Sequence, residues 1–308
     1  CKGVGGRHYN IGDAGGLAFA PLWRIDESEE EFAWALDWVE SLLVLQGLNV
    51  TPADRNALYS AMDSLRAAPH TMRSLTDFVH RVQDLKLKEA LKHYTEAGAM
   101  GRILDARHDG IAASLFTVFE MESIMEMGAK NLVPVLLYLF HQIERSLMGQ
   151  PAMIVLDEAW IMLGHPVFRE KIREWLKVLR KLNCIVVLAT QSLSDARQSG
   201  ILDVLAESCP TKIFLANIAA ASDVQCGFYA ELGLNSRQIQ IISTMQPKRE
   251  YYLVQPEGRR KIQLALGPKT LSFIGASDKE SIARIDELIA EYGEDAWQEH
   301  WLHERQAA

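Results

Sequence analysis

"PAMIVLDEAWIML", residues 151 to 163, decides how this chain folds. Ala152 to Leu156 form an unbroken apolar run, and two carboxylates, Asp157 and Glu158, close it. Downstream, "HPVFREKIREWLKVLRKL" (165–182) has the period of an amphipathic helix, and "CIVVLATQS" (184–192) is a second apolar run. It ends on Thr190, Gln191 and Ser192. Strand, helix and strand in this order predict a right-handed crossover between two parallel neighbours. The continuous apolar runs at 152–156 and 185–189 further predict strands buried on both faces. Both polar ends then lie side by side at the carboxyl edge of the sheet, where open α/β folds bind ligands.

The residue types at that edge suit nucleotide chemistry. Asp157 can hold Mg²⁺, directly or through water, while Glu158 activates a water. The amide of Gln191 both donates and accepts, so it can orient that water or touch a γ-phosphate. Thr190 beside it is a candidate nucleotide contact. Two acids after an apolar run also occur where they merely cap the next helix. The second polar strand end one crossover downstream favours the chemical alternative, which is the Walker B and sensor half of a P-loop nucleotide triphosphatase. The other half is missing: no G-x-x-x-x-G-K-[ST] cradle occurs in the 308 residues. "LGPKTL" (266–271) has no partner glycine five residues earlier and is expected to be a turn. The chain also starts on "CKGVGGRHYN", without Met, so the cradle is expected upstream of Cys1.

Composition narrows the classes. A 308-residue chain can bury a large core. The net charge of −8, from 32 basic and 40 acidic residues, argues against a broad duplex-DNA footprint. Four cysteines without CxxC spacing read as reduced thiols, mostly buried, of a cytosolic protein, and nine scattered histidines, His8, His108 and His165 among them, form no metal-ligand spacing. "LVPVLLYLF" (132–140) falls well short of the roughly 20 residues of a membrane helix.

Away from the centre, "RHYNIGDAGGLAFAPL" (7–22) predicts strand, turn and strand. Asp26 is the expected N-cap of a helix carrying Phe32, Leu36, Val39 and Leu43 and stopped by Gly47. Thr51 caps the next helix, with Pro52 at its first position. Residues 27–105 therefore read as an all-helical block. "SLFTVFEME" (114–122) predicts a strand, "LVPVLLYLFHQIERSL" a helix with Pro134 in its first turn, and "REYYLVQPEGRRKIQLALG" an antiparallel edge hairpin. The chain closes on amphipathic helices broken at Gly293, with Trp297 and Trp301 on one face.

Taken together, "GGRHYNIGDAGGLAFAPLWRIDE", "FTVFEME", "PVLLYLFHQIE", "IVLDEAW", "VVLATQSLSDA", "GILDVLAESCPTKIFLAN", "GLNSRQIQII" and the final hairpin resemble the TrbE/CagE/VirB-type ATPases of conjugation and type IV secretion, most closely the TrbE branch. The resemblance implies a RecA-like, FtsK/HerA-type P-loop NTPase core with a mostly parallel sheet, an antiparallel edge hairpin and an all-helical insertion. The core would comprise residues 1–26 and 106–275, the insertion 27–105, and the C-terminal helix 276–308. It further implies an ATP-driven homo-hexamer, peripheral on the cytoplasmic face of the inner membrane, working with other inner-membrane components in pilus assembly and substrate transfer. Asp157 would be the Walker B acid at Mg²⁺, Glu158 the catalytic base and Gln191 the sensor. Without the family's Walker A residues, this stretch by itself is expected to bind ATP weakly and turn over little.

Hexameric motors of this kind also use an arginine from a neighbouring subunit on the γ-phosphate. Arg249, at the start of a strand, is the first candidate, ahead of Arg197 and the pair Arg259 and Arg260. Two alternatives share the same residues: a DNA-translocating coupling-protein or HerA-like motor, and a non-hydrolysing scaffold.

Overall fold

The computed structural model of the protein describes every residue except 13–16, 159–165, 192, 199, 201 and 308, with backbone alone at 195, 196, 198, 203, 306 and 307. The chain divides into two compact units, Cys1–Ser146 and Leu147–Ala308.

In the first unit β1 (Arg7–Asn10) and β2 (Thr117–Glu120) pair in parallel, Arg7 opposite Thr117 and Asn10 opposite Glu120. Between these neighbours runs an excursion of helices: α1 (Glu29–Leu45), α2 (Pro52–Arg66), α3 (Leu75–Arg81), α4 (Leu85–Leu91) and α5 (Gly101–Leu104). α6 (Glu122–Met125) and α7 (Ala129–Ser146) follow β2. Local chemistry sets the helix starts. Thr51 and Asp54 exchange hydrogen bonds in a capping box with Pro52 at the first position, and Ser74 and Asp77 repeat the device. Gly47, at φ +82°, follows the end of α1 as expected.

Three local expectations are corrected. Ser28, not Asp26, caps α1 by accepting from the Glu31 amide. Asp26 is drawn instead to Arg73, 2.5 Å away, whose guanidinium also donates to the carbonyls of Trp23, Arg66 and Ala68. Second, residues 17–20 form no strand; Phe19 and Ala18 bond the backbone of Ile103 at the end of α5 and of Ala106 and Gly110 in the loop after it, rather than a sheet. Third, α7 starts at Ala129, so Pro134 lies in its interior. Proline has no N–H, and the carbonyl of Lys130, four residues back, loses its helical donor. The buried Tyr94 hydroxyl replaces it at 3.0 Å.

In the second unit β3 (Ala152–Leu156) pairs in parallel with β4 (Cys184–Leu188), from Ala152 opposite Cys184 to Leu156 opposite Leu188. α8 (Pro166–Val178) makes the expected crossover, buries Phe168, Ile172 and Trp175, and passes into a 3-10 turn against β4. α9 (Leu193–Gln198) and α10 (Leu202–Ser208) lead to β5 (Lys212–Leu215). The sequence order predicts β5 as a further parallel strand, but it pairs antiparallel with β6 (Glu250–Gln255). Burial explains the choice: Phe214 joins Tyr252, Val254, Tyr229, Ile239 and Ile242 in one apolar cluster under α11 (Cys226–Glu231) and α12 (Ser236–Thr244). β7 (Gly258–Gln263) completes the expected hairpin across Pro256 and Glu257. "LGPKTL" is also corrected: with Gly267 as cap and Pro268 at the first position, it opens α13 (Pro268–Ile274). α14 (Lys279–Tyr292) and α15 (Trp297–Ala307) bury Trp297 and Trp301 against Leu288, on either side of the predicted break at Gly293.

β3 and β4 are not buried on both faces. Ile154, Leu156 and Cys184 point inward, while Met153 and Val155 are 63% and 60% exposed, and Ile185 and Val187 60% and 39%. Alternate residues of a strand face opposite sides, and only one side of this pair is buried. Among the described residues no helix is long and apolar enough to cross a membrane. The cysteines are free; Cys184 is buried, Cys209 and Cys226 are half-buried, and Cys1 is exposed.

Candidate functional site

The last rung of the β3–β4 ladder is the bond from the Ala189 amide to the Leu156 carbonyl, 3.0 Å. Beyond it the chains diverge, and their next residues are Asp157 and Glu158 on one side, Thr190 and Gln191 on the other. The parallel register therefore sets both polar ends at one edge. Gln191 Nε2 donates to Glu158 Oε1 at 2.7 Å. Because a carboxylate only accepts, the Gln191 amide must present its NH₂ here. The Glu158 amide donates to Asp157 Oδ1 at 3.0 Å. Glu158 has φ +50°, a left-handed conformation rare for a residue with a Cβ. The turn after β3 thus redirects the chain at Glu158. Asp157, Thr190 and Gln191 are exposed, and Glu158 is half-buried.

Asp157, Glu158 and Gln191 are brought together as expected. Arg249 is not part of that cluster. It lies exposed in the turn at 247–249 that precedes β6, and its charge acts on neighbouring Glu250. Arg197 pairs with Glu231 at 3.4 Å and lies over the Phe228 ring, while Arg259 donates to the Gly233 carbonyl and to Gln238. These contacts hold two of the arginine candidates within their own chain; the side chains of Arg249 and Arg260 make no such bond among the described residues. The polar end of β5 is structural: Asn217 binds Gln225, Tyr229 and the Ala219 amide. Residues 159–165, with Ala159, Trp160 and His165, lie outside the described residues, as do Ser192 and residues 13–16, where the sequence predicts a glycine turn.

The donor set fits magnesium with a nucleotide. Among the described residues no group of three or more His, Cys, Asp or Glu could enclose a metal ion. Mg²⁺ asks for no such cage, since it takes one or two carboxylates and fills its octahedron with water and phosphate oxygens. Exposed Asp157 offers one hard-oxygen ligand at a strand end. Sequence reasoning did not find the left-handed turn at Glu158, because no glycine or asparagine marks it.

Residues 72–255 match the TraG P-loop domain family. Over 98% of its length the chain is 57% identical to a probable conjugal transfer protein TrbE of Sinorhizobium fredii, of which it covers 46%. It is 53% identical, again over 98% of its length, to the conjugal transfer protein TrbE of Rhizobium radiobacter, covering 37% of that protein. The type IV secretion system protein virB4 of Bartonella henselae is 25% identical over 94% of the chain and is covered to 38%. The chain thus spans less than half the length of these curated relatives. Among solved structures, VirB4 of Thermoanaerobacter pseudethanolicus superposes with a TM-score of 0.65 over 87% of this chain and 78% of that one, at 17% identity, a likeness of fold.

Proposed function

The chain belongs to the TraG P-loop domain family, in its TrbE/VirB4 branch, and from that premise we propose that the full-length polypeptide is an ATP-hydrolysing motor subunit that energises conjugative transfer and type IV secretion. The observation that carries this is the meeting of Asp157, Glu158 and Gln191 at one strand edge, with Gln191 bonded to Glu158. Asp157 would hold Mg²⁺, directly or through a water, and the ion supplies charge neutralisation on the phosphate oxygens. Glu158 takes a proton from the attacking water at its carboxylate. Gln191 helps set the attack of that water from the neighbouring strand end, with Thr190 contacting nucleotide beside it. Arg249, exposed and with its side chain unbonded among the described residues, would serve a neighbouring copy in a homo-hexamer. Helices at 27–105 form the insertion between core segments 1–26 and 106–275, in keeping with the adjacency of β1 and β2. Such a hexamer would lie on the cytoplasmic face of the inner membrane with other secretion-system subunits.

No G-x-x-x-x-G-K-[ST] occurs in these 308 residues, which span less than half of the curated relatives, so the chain alone should bind ATP weakly. In the full-length protein Glu158→Gln should lower ATP turnover at least about 10²-fold while nucleotide stays bound. Undiminished hydrolysis by that variant would remove Glu158 as the base.

A further inference from the structure

We propose that Gln191 is a positioning residue that fixes which oxygen of the Glu158 carboxylate faces the attacking water; this rests on the motor reading above and deepens it. A carboxylate turns about its last side-chain torsion with little preference, because that torsion is broad and nearly two-fold. The bond from Gln191 Nε2 to Oε1, 2.7 Å, removes that freedom and commits one oxygen, so that Oε2 is the one left for a water. The donor stands three residues beyond Leu188, just past the end of a strand whose backbone is pinned by the Ala189–Leu156 bond. The other end of Glu158 is fixed independently. Its amide is tied to Asp157 Oδ1 at 3.0 Å, and its backbone holds the left-handed turn. Side chain and main chain of one residue are therefore held from two different strands, the arrangement required of a base that must aim. A glutamine that only sensed phosphate would have no need of this contact.

A positioning role and direct phosphate contact differ in one respect: the first requires Glu158 to be present. In full-length protein, a cycle of Q191A, E158A and the double variant is measured for ATP turnover and for the ratio of MgATP-analogue to MgADP affinity, using a non-hydrolysable analogue. Q191A should lower kcat by about 10- to 100-fold and leave the affinity ratio within about twofold. In the E158A background it should change neither quantity by more than about twofold. Q191E keeps the shape but cannot donate, and should match or exceed the loss in Q191A; normal turnover by Q191E overturns the proposal. So does a roughly tenfold fall in the affinity ratio that persists in the E158A background, since Gln191 would then act on phosphate directly. The binding arm is read whether or not the protein turns over, so a wild type that hydrolyses nothing would count against the motor and leave the Gln191 result legible.

Discussion

Glu158 keeps a left-handed φ that costs a residue with a Cβ about 1 to 2 kcal/mol, and the bonds from its amide to Asp157 and from Gln191 to its carboxylate offset that cost. Asp157 consequently has two separable roles. Asp157→Asn keeps an oxygen for the Glu158 amide but loses the charge. It should leave the melting temperature within about 2 °C and raise the Mg²⁺ needed for half-maximal nucleotide binding several-fold, as a magnesium titration will read. Arg73, 5% exposed, is the other residue on which much depends. Its bond to Asp26, and then its charge, hold that carboxyl below its ordinary value of 3.8. A depressed carboxyl contributes stability above its unfolded pKa and loses it as pH falls through the folded one, so the loss begins below about pH 4. Arg73→Ala removes a donor from three carbonyls and from Asp26, of which the Trp23 carbonyl and Asp26 keep only His70, at 3.3 and 3.5 Å. It should cost about 2 kcal/mol at neutral pH in denaturant titration, most of it from the carbonyls, since the Asp26 carboxylate is exposed, and flatten the decline below pH 4.

Among the elements, α7 shows how a helix that breaks a local rule is compensated from a distance. Pro134 deprives the Lys130 carbonyl of its donor, and Tyr94 supplies one. Tyr94→Phe should cost about 1 to 2 kcal/mol; with Pro134→Ala present the cost should fall by more than half, since the helix then donates to Lys130 itself. Equal losses in both backgrounds would assign the tyrosine's role to its bond with Gln46 instead. The same helix meets α1 through His141, stacked on Trp34 with ring centroids 3.8 Å apart and 3.0 Å from a Glu31 oxygen. Burial depresses the His141 pKa below 6.5, although Glu31 pulls it the other way and Arg145 adds to the depression. The unfolded chain thus binds the proton more readily, so stability is full above about pH 6.5 and declines as pH falls below it. His141→Gln should remove that part of the decline between pH 7 and 5, as paired urea titrations will report.

For the molecule as a whole, the charge of −8 argues against a broad duplex-DNA footprint. Filter binding at about 150 mM salt should show no saturable DNA complex; strong binding that collapses with added salt would favour the DNA-translocating alternative. The apolar face of Met153, Val155, Ile185 and Val187 is also a property of this scale. Nothing in the residues themselves distinguishes strands covered on two faces from strands covered on one, because both are equally apolar. Packing decides it.

Periodicity, capping chemistry and strand order were legible in the sequence, because each depends on residues only a few positions apart: Thr51 with Pro52 and Asp54, Gly47, the crossover at 157–183, and the hairpin at Pro256. From them came the α/β class, the shared edge of β3 and β4, and the company of Asp157, Glu158 and Gln191. Tertiary structure alone decided the matters that turn on distant partners. Asp26 left its helix for an arginine 47 positions away, Tyr94 made Pro134 tolerable, and Phe214 took β5 antiparallel against β6. A cap or a turn is favoured by its own neighbours, whereas a long-range ion pair, a shared carbonyl or a packed ring exists only once the chain has folded back on itself.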